Sequence, residues 1–331
     1  MKHIVAYVHA YVGMGRNAGA ETTLHDILRF IVGTGEWKAT VIVSQPGVGQ
    51  HPYSVDGVEV IPQGSKRDLI EWVNRASVLI THLDQSERTA FVGRRFRCPV
   101  IHLVHNDMWE TRSYLACGCQ MAIFNTEWVK AKFTDYDGLS CVVHPPIVAA
   151  DYATGSPAKD GEYITLVNMW AKKGSGIFYD LADRFPDRKF LAVQGGYGEQ
   201  DIRSGRDNVT MASHTENMSK IYARSRIMLM PSAYESYGRV AVEAASNGIP
   251  SITSRTPGLV EALGPAGIYC ETVDEYASAI QKLDHWKAYA SASKKSLARF
   301  KEIDSAREEE LNRMLVMLNG VADTGKLIRG W

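Results

Sequence analysis

Short runs of β-branched and aliphatic residues alternate with segments of helical period along almost the whole chain. We predict strands at these runs: 3–8, 39–44, 57–61, 77–82, 99–104, 120–124, 140–143, 163–168, 189–194, 207–211, 226–231, 250–254 and 267–270. We predict helices between them, at 21–32, 67–75, 174–185, 217–224, 238–247 and 258–263. Strands that are apolar on both faces and separated by helices are typical of parallel sheets covered on both sides.

The alternation is interrupted by "HPPIVAADYATGSPAKDGEY" at 144–163, where Pro, Gly, Ser and charged residues accumulate. This composition is typical of a connection between domains. We therefore predict an N-terminal domain at 1–148 and a C-terminal domain at 149–304. The amphipathic segment "AREEELNRMLVMLN" lies in a final helix, 305–331, which we expect to pack back on the N-terminal domain.

Composition and charge narrow the class of protein. The 331 residues include 45% hydrophobic ones, and both Lys plus Arg and Asp plus Glu number 37, so the net charge is zero. A neutral, ordinary composition predicts a globular protein and makes nucleic acid an unlikely partner. The five cysteines form no CxxC pair, which favours reduced thiols and a cytoplasmic location. We expect no signal peptide and no transmembrane segment, since no run approaches ~20 apolar residues.

The stretch "YESYGRVAVEAASNGIP" at 234–250 places two carboxylates around the start of a helix. Glu235 follows the strand 226–231 and lies in the loop, where ligands of parallel sheets bind. The helix begins near Gly238, so the unpaired amides there favour an anion such as phosphate. Glu243 lies among small apolar residues and is costly to bury unless it accepts hydrogen bonds, which vicinal ribose hydroxyls could donate. The alternative is that Glu235 caps the helix and Glu243 lies on its solvated face.

Taken with its neighbours, this stretch resembles the E-x7-E region of retaining glycosyltransferases, family 4 type, also called glycosyl transferases group 1. "ITLVNMWAKKGSGIFYDLADRFPDRKFLAVQGG" and "NVTMASHTENMSKIYARSRIMLMPS" are similar to the segments before it, and "NAGAETTLHDIL", "IFNTEWVKAKF" and "VVHPPI" to segments of the other domain. The resemblance is strong from 163 to 270 and loose before 140. It implies the α/β GT-B fold, with two Rossmann-like doubly wound domains facing a central cleft.

The resemblance implies roles for matching residues. Glu243 would bind the donor ribose, with Ser236, Tyr237, Gly238 and Arg239 forming the turn that meets the diphosphate. Catalytic roles fall on Glu235 near the transferred sugar, on His105, which would contact that sugar, and on Lys173, which would neutralise the leaving diphosphate. Charge that develops on a leaving group is stabilised by fixed cations and dipoles. A solvated Lys173 and a structural His105 are the alternatives.

The chain departs from the family at Val167-Asn168, where Gly-Arg is frequent. Asn168 can donate a hydrogen bond to the donor but carries no charge, so either Lys172, Arg203 or Arg239 compensates or donor binding is weaker. In "GMGRNAGAE" the resemblance assigns the loop with Gly15 and Gly19 to the diphosphate and acceptor side. Asp84 follows another strand and is a weak acceptor-side candidate, since a solvated carboxylate is the simpler interpretation.

The resemblance implies a retaining hexosyltransferase that moves a sugar from a nucleotide sugar, most simply a UDP-sugar, to an unidentified acceptor hydroxyl. No metal is expected, because the ten histidines form no HxxxH or HxH pair and the family needs none. Two alternatives stay open: another GT-B enzyme, such as an epimerase or a phosphorylase, or a non-catalytic subunit that binds a sugar nucleotide. The oligomeric state is open as well.

Overall fold

The computed structural model describes residues 1–15, 18–44, 51–62 and 66–329. The chain divides into two compact units. The first consists of Met1–Pro146 together with Arg307–Trp331, and the second of Ile147–Ala306. The second unit is therefore continuous in the sequence, whereas the first is assembled from two separate segments.

The first unit is built on one predominantly parallel sheet. Its strands are β1 (Lys2–Val8), β2 (Trp37–Val43), β3 (Tyr53–Val55), β4 (Val58–Pro62), β5 (Val78–Thr81), β6 (Val100–Val104), β7 (Met121–Phe124) and β8 (Leu139–Val142). Their order is β3-β4-β2-β1-β5-β6-β7-β8, and only the β3–β4 pair is antiparallel among these described strands. The chain runs outward from β1 through β2 to β4 and then crosses to β5 on the other side of β1. The strand order therefore reverses between β1 and β5.

The second unit contains a parallel sheet of the Rossmann strand order. Its strands are β9 (Tyr163–Val167), β10 (Lys189–Val193), β11 (Val209–Ala212), β12 (Ser225–Met230), β13 (Ser251–Thr253) and β14 (Ile268–Tyr269). The order β11-β10-β9-β12-β13-β14 reverses between β9 and β12. In open α/β sheets, ligands bind beyond the carboxyl ends of the strands at such a reversal, the topological switch point.

Helices connect the strands of both sheets. They are α1 (Gly19–Gly33), α2 (Lys66–Arg75), α3 (Ser86–Phe96), α4 (Trp109–Ala116), α5 (Glu127–Lys130), α6 (Ala149–Tyr152), α7 (Ser175–Arg184), α8 (Ser219–Tyr222), α9 (Arg239–Ser246), α10 (Pro257–Leu263), α11 (Val273–Lys282) and α12 (Trp286–Arg329). Short 3-10 turns lie at Leu83–Gln85, Ala158–Asp160, Ala171–Lys173 and Gly264–Ala266. Among the described residues, no helix combines the length and the apolar character needed to cross a membrane.

Both faces of each sheet are buried, which explains the apolar runs in the sequence. Along β1, Ile4 and Val8 contribute to one core together with α1, whereas Val5 packs on the opposite face with α2. Along β12, Ile227 and Met228 alternate in the same way between two cores of the second unit. A strand covered on both faces has no solvated side and therefore no polar alternation. The predicted α/β class with two doubly wound sheets is confirmed.

The long helix α12 contributes to both units. Phe300 packs in the core of the second unit, and Leu311, Met314 and Leu318 pack in the core of the first, beside α1. Glu310 accepts hydrogen bonds from the backbone nitrogen of His144 at 2.9 Å and pairs with its Nδ1 at 2.8 Å. The helix is thus fastened to the end of β8 as well as to the core.

Candidate functional site

An ion pair lies at the switch point of the second sheet. Lys173 ends the turn that follows β9, and Glu235 lies in the loop that follows β12. The Lys173 Nζ donates to Glu235 Oε1 at 2.7 Å, and Ser232 Oγ donates to the same oxygen at 2.9 Å. The two charged side chains are only 17% and 12% exposed. The pair therefore lies at the edge of the sheet where ligands of this topology bind.

Gly174 explains why the lysine reaches the neighbouring strand. Its φ is 91°, in the left-handed region that glycine adopts without strain. A Cβ at this position would overlap the side chain of Pro231 and lie 2.5 Å from its carbonyl oxygen. The turn that carries Lys173 can therefore rest directly against the end of β12. Ala233 strengthens this contact by donating its backbone N–H to the Lys172 carbonyl at 3.0 Å.

Lys173 keeps its proton at this position. Burial alone would lower the pKa of Lys173. The Glu235 carboxylate and the Tyr197 side chain together raise it by more than burial lowers it, so the pKa lies above its ordinary value. The lysine is therefore a cation throughout the physiological pH range. Its charge is available to an anion that approaches the same edge of the sheet.

The loop after β12 leads directly into α9, as predicted. Gly238 caps the helix with a φ of 94°, and a Cβ there would overlap the Leu259 side chain. Tyr237 is buried in the core, whereas Ser236 is half-buried in the loop. The first amides of α9 therefore follow Glu235 within a few residues. A helix N-terminus so close to a buried lysine is a favourable place for an anion.

Glu243 is held inside the second unit. It is 4% exposed, and its Oε1 accepts from Arg239 Nε at 2.7 Å while its Oε2 accepts from the Tyr222 hydroxyl at 2.6 Å. The alternative that Glu243 lies on a solvated face is therefore wrong. Its need for hydrogen bonds is met within the chain, although a carboxylate has about four acceptor positions and can accept further donors.

The same contacts correct one expectation about Arg239. Its Nη2 donates to the Tyr152 hydroxyl at 2.8 Å, and its Nε is committed to Glu243. The guanidinium is buried in this network, so Arg239 is not placed to replace the missing phosphate-binding arginine. Its backbone amide at the start of α9 is unaffected by this correction.

Asn168 supports the loop after β10. It adopts a φ of 72°, is buried, and accepts at Oδ1 from Trp170 N at 3.2 Å and Gln200 Nε2 at 2.9 Å. Its Nδ2 donates to the Tyr197 carbonyl at 3.3 Å. The amide is therefore committed to loop structure, a geometry that does not favour direct contact with a donor. Its donor-binding role stays a prediction.

The other two basic candidates are also engaged by neighbours. Lys172 Nζ lies 5.0 Å from the centroid of the Trp170 ring. Arg203 binds Asp201 at 2.9 Å and 2.7 Å through Nε and Nη2 and covers the Tyr179 ring. Lys173 is thus the basic candidate that lies at the switch point itself.

In the first unit, His105 follows β6 and interacts with a second histidine. Its Nε2 lies 3.0 Å from Nδ1 of His82, close enough for a hydrogen bond. Burial lowers the pKa of His105 to about 3, with a smaller contribution from His102, and burial also lowers the pKa of His82 well below its usual value. Both rings are therefore neutral at physiological pH. His105 can donate or accept a hydrogen bond, but it supplies no charge.

The glycine loop of the first unit is described in part. Gly15 has a φ of 69°, and Gly19 is the first residue of α1. Arg16 and Asn17 of the predicted motif lie outside the described residues. The assignment of this loop to the diphosphate and acceptor side stays a prediction.

Sequence reasoning missed a cluster at the switch point of the first sheet. His9 follows β1, His82 follows β5, and Glu21 lies in the first turn of α1. Each offers a metal-ligand atom, and these atoms all lie within 4.8 Å of one another. The three residues come from separate segments, so a search for paired histidines at short spacing cannot find them. The signal that could have found them is their shared position after neighbouring strands.

Comparison with protein families supports the resemblance proposed from the motifs. The family model described as Glycosyl transferases group 1 matches residues 164–285. A glycogen synthase from Geotalea uraniireducens (strain Rf4) is 33% identical over 116 residues, which cover 32% of this chain and 24% of the relative. An O-antigen chain mannosyltransferase B from Escherichia coli is 34% identical over 82 residues, covering 23% and 22%. The matched segment thus spans about a quarter of the length of these curated relatives.

Solved structures match over nearly the whole chain. Anabaena Alr3699/HepE in complex with UDP-glucose has a TM-score of 0.77 at 17% identity, covering 95% of this chain and 99% of that one. The sucrose-phosphate synthase from Thermosynechococcus elongatus has a TM-score of 0.75 at 14% identity, covering 98% and 100%. At this identity the likeness concerns the fold. The second unit of this chain thus contains the segment that is similar to the glycosyl transferases group 1, and the chain as a whole has the GT-B fold.

Proposed function

We propose that the protein is a glycosyltransferase that moves a sugar from a nucleotide diphosphate to an acceptor hydroxyl. The observation that carries this proposal is the pair of Lys173 and Glu235 at the switch point of the second sheet. It lies next to the N-terminus of α9 and within the segment that matches the family model. A cation together with the first amides of a helix would suit the diphosphate of a sugar donor.

The donor diphosphate would occupy the edge formed by Lys173 and the first amides of α9. When the bond between sugar and phosphate breaks, negative charge develops on the departing diphosphate. A protonated lysine and a helix N-terminus that are already in place stabilise this charge without reorganisation. Ion pairing with Glu235 holds the lysine at the site before the donor arrives.

Glu235 would meet the transferred sugar. One of its oxygens accepts from Lys173 and Ser232, and its other oxygen can accept from sugar hydroxyls. Glu243 would bind the ribose through acceptor positions that Arg239 and Tyr222 do not use. Gly15, Gly19 and His105 are proposed for the diphosphate, acceptor and transferred sugar on the family resemblance alone.

We choose a UDP-hexose as the donor, because HepE, the structure with a TM-score of 0.77, is described in complex with UDP-glucose. Transfer would retain the anomeric configuration, with the acceptor hydroxyl passing its proton to a phosphate oxygen of the donor. This route needs no separate protein base, so His105, which is neutral, would orient the sugar. No metal would take part in this step.

The first experiment measures donor binding by the shift in melting temperature with UDP-, GDP-, ADP- and TDP-sugars. We compare the wild type with Lys173→Ala and with Lys172→Ala, a matched control in the same turn. We expect a rise with one nucleotide that Lys173→Ala greatly reduces and Lys172→Ala retains. NMR of the glycoside made by the active protein then gives the anomeric configuration.

Other outcomes would contradict the proposal in distinct ways. Binding without release of nucleotide in any acceptor screen would favour a non-catalytic subunit. Release of an altered sugar nucleotide would indicate an epimerase, and dependence on inorganic phosphate would indicate a phosphorylase. No melting shift with any donor at millimolar concentration would contradict donor binding altogether.

A further inference from the structure

The three residues His9, Glu21 and His82 converge at the switch point of the first sheet. β1 and β5 are parallel neighbours in which Tyr7 is paired with Thr81, so the residues that follow them emerge side by side. Glu21 reaches the same place from the first turn of α1, with His9 Nε2 at 3.3 Å from Glu21 Oε1. The strand order thus collects two imidazoles and one carboxylate at a ligand-binding position.

We propose that His9, Glu21 and His82 bind one divalent transition-metal ion, and that zinc is the ion they favour. Imidazole nitrogens and a carboxylate oxygen are ligands that zinc accepts, and three protein ligands leave a fourth position for water or a hydroxyl group. The cluster is neither all-oxygen nor thiolate-rich, so it does not suit magnesium, calcium or an iron–sulfur cluster.

The separations are close to what such a site needs. In a tetrahedral zinc site with bonds of about 2.1 Å, ligand atoms lie about 3.4 Å apart. The His9–Glu21 distance of 3.3 Å already meets this value, and all three ligand atoms lie within 4.8 Å. The His9 side chain is 28% exposed and has room to adjust its distance to His82. Glu21 and His82 are buried and provide the fixed part of the site.

Two of the proposed ligands already have a contact at their other polar atom. His82 Nδ1 lies 3.0 Å from His105 Nε2, within hydrogen-bond distance, whereas His9 Nδ1 lies 3.4 Å from Asp84 Oδ1 without forming a hydrogen bond. Glu21 Oε2 accepts the backbone N–H of Ala18 at 2.8 Å. Metal-binding histidines commonly donate their second ring N–H in this way, which fixes the ring and the tautomer. His82 and Glu21 therefore have the supporting contacts that ligands of a metal site require.

The remaining nitrogen of His82 is the second, independent observation. His82 is fully buried, and among the described residues its Nε2 has no hydrogen-bond partner. Leaving a buried polar atom unpaired is unfavourable, because the atom has lost its hydrogen bond to water without replacing it. If Nδ1 donates its proton to His105, Nε2 has a free lone pair, and a metal ion shared with His9 and Glu21 would use it.

Ion pairing of a protonated His9 with Glu21 and Asp84 is the competing explanation. It accounts for the two short distances at His9, but it provides nothing for His82 Nε2. This proposal departs from the expectation of no metal, which rested on the family and on the spacing of histidines along the chain. It concerns binding by the first unit and is independent of the transfer reaction proposed above.

The test is a titration of the chelator-treated full chain with Zn²⁺ by calorimetry, and with Co²⁺ by absorption spectroscopy. We expect one ion per chain and a Co²⁺ spectrum of a tetrahedral site with nitrogen ligands. His9→Ala and Glu21→Gln should each weaken Zn²⁺ binding by more than ~10-fold, the lower end of the loss that follows removal of a mere supporting contact. His285→Ala, at an exposed histidine of the second unit, is the matched control and should bind like the wild type.

Three results would overturn the proposal. In the first, His9→Ala and Glu21→Gln bind Zn²⁺ as tightly as the wild type. In the second, no variant and no wild-type sample binds an ion at a one-to-one ratio. Loss of binding in His285→Ala would also overturn it, because the ion would then lie elsewhere. Misfolding does not confuse the result, because the side-chain amide oxygen in Glu21→Gln can still accept from Ala18 and the melting temperature of each metal-free variant is compared with that of the metal-free wild type.

Discussion

The two sheets reverse their strand order in the same way, yet they place different chemistry at the reversal. Beyond β9 and β12 the second sheet carries opposite charges, Lys173 and Glu235, in direct contact. Beyond β1 and β5 the first sheet carries His9 and His82, and the latter is neutral. The topology determines where side chains converge, whereas the residue types differ, with an ion pair at one position and imidazoles at the other.

The difference extends to how each unit buries its titratable groups. The second unit buries full charges as pairs, as in Arg239 with Glu243. The first unit buries histidines in their neutral form, and burial lowers the pKa of both His3 and His102 to about 4. Paired charges depend on both partners being present, whereas neutral histidines depend on pH. Removal of one partner should therefore destabilise the second unit, whereas a fall in pH should destabilise the first.

The largest expected effect tests the paired charges. Glu243→Ala leaves the Arg239 guanidinium buried without its carboxylate, and breaking a buried pair costs about 3–5 kcal/mol. We expect urea unfolding to show a loss of this size. The double variant Arg239→Met/Glu243→Met should lose less than Glu243→Ala alone, because no charge is left unpaired. Equal losses in the two proteins would contradict charge pairing as the reason for the burial.

The next effect concerns activity at the second switch point. Lys173→Ala removes the cation proposed to stabilise the leaving diphosphate, and removal of one such group costs about 10²–10³-fold in kcat. Lys172→Ala should remain within a few-fold of the wild type, because that side chain covers the Trp170 ring instead. The readout is release of nucleoside diphosphate from the donor. Equal rates in the two variants would remove Lys173 from the proposed reaction.

The third prediction tests the first unit by pH. The folded pKa of His102 is about 4 and the unfolded value about 6.5, so the folded state binds fewer protons between these values. The neutral ring therefore contributes about 3 kcal/mol to the free energy of unfolding above about pH 6.5. This contribution is lost as the pH falls to about 4.

His102→Gln cannot titrate, so we expect it to lose less unfolding free energy than the wild type between pH 7 and about pH 4. Urea unfolding at several pH values makes the comparison. His285→Gln, at an exposed histidine, should keep the pH dependence of the wild type. An unchanged slope in His102→Gln would show that this ring does not remain neutral in the folded protein.

The smallest effect concerns an exception to the comparison, since the first unit also pairs a carboxylate with a ring, in Glu310 with His144. These side chains are 26% and 18% exposed, and Glu310 accepts from both the backbone and the ring of His144. We expect Glu310→Gln to lower the unfolding free energy by about 1 kcal/mol, because its amide oxygen keeps one of the two bonds. The matched control Glu309→Gln changes a side chain on the exposed surface and should have little effect. A larger loss than that of Glu243→Ala would reverse the comparison.

Much of the fold could be predicted from the sequence, because a strand buried on both faces is a continuous apolar run. Every predicted strand is present, whereas β3 was missed because three residues on an antiparallel edge show no clear period. Leu318 of the last helix is buried in the first core, as the amphipathic pattern of that helix predicts. The Glu235 loop and the start of α9 were predictable too, since Gly238 and Gly248 mark the ends of the helix.

The side-chain contacts could not be predicted in the same way. Lys173 and Glu235 are 62 positions apart, and only the strand order makes them neighbours. The sequence pattern does not reveal Tyr222 as the partner of Glu243. A tyrosine that donates a buried hydrogen bond and a tyrosine that only packs its ring occupy the same kind of apolar position. The cluster at His9 was missed for a related reason. Its three members lie at the same switch point of the sheet, but their positions in the sequence form no recognisable motif.

The path of α12 has a consequence for biosynthesis. The segment that supplies Leu311, Met314 and Leu318 to the first core is translated after all residues of the second unit. During synthesis, the N-terminal sheet therefore exists with part of one apolar face uncovered, while the continuous second unit can already be complete. Since domains fold as units when their residues are available, the half of the protein that is translated first is the last to be finished.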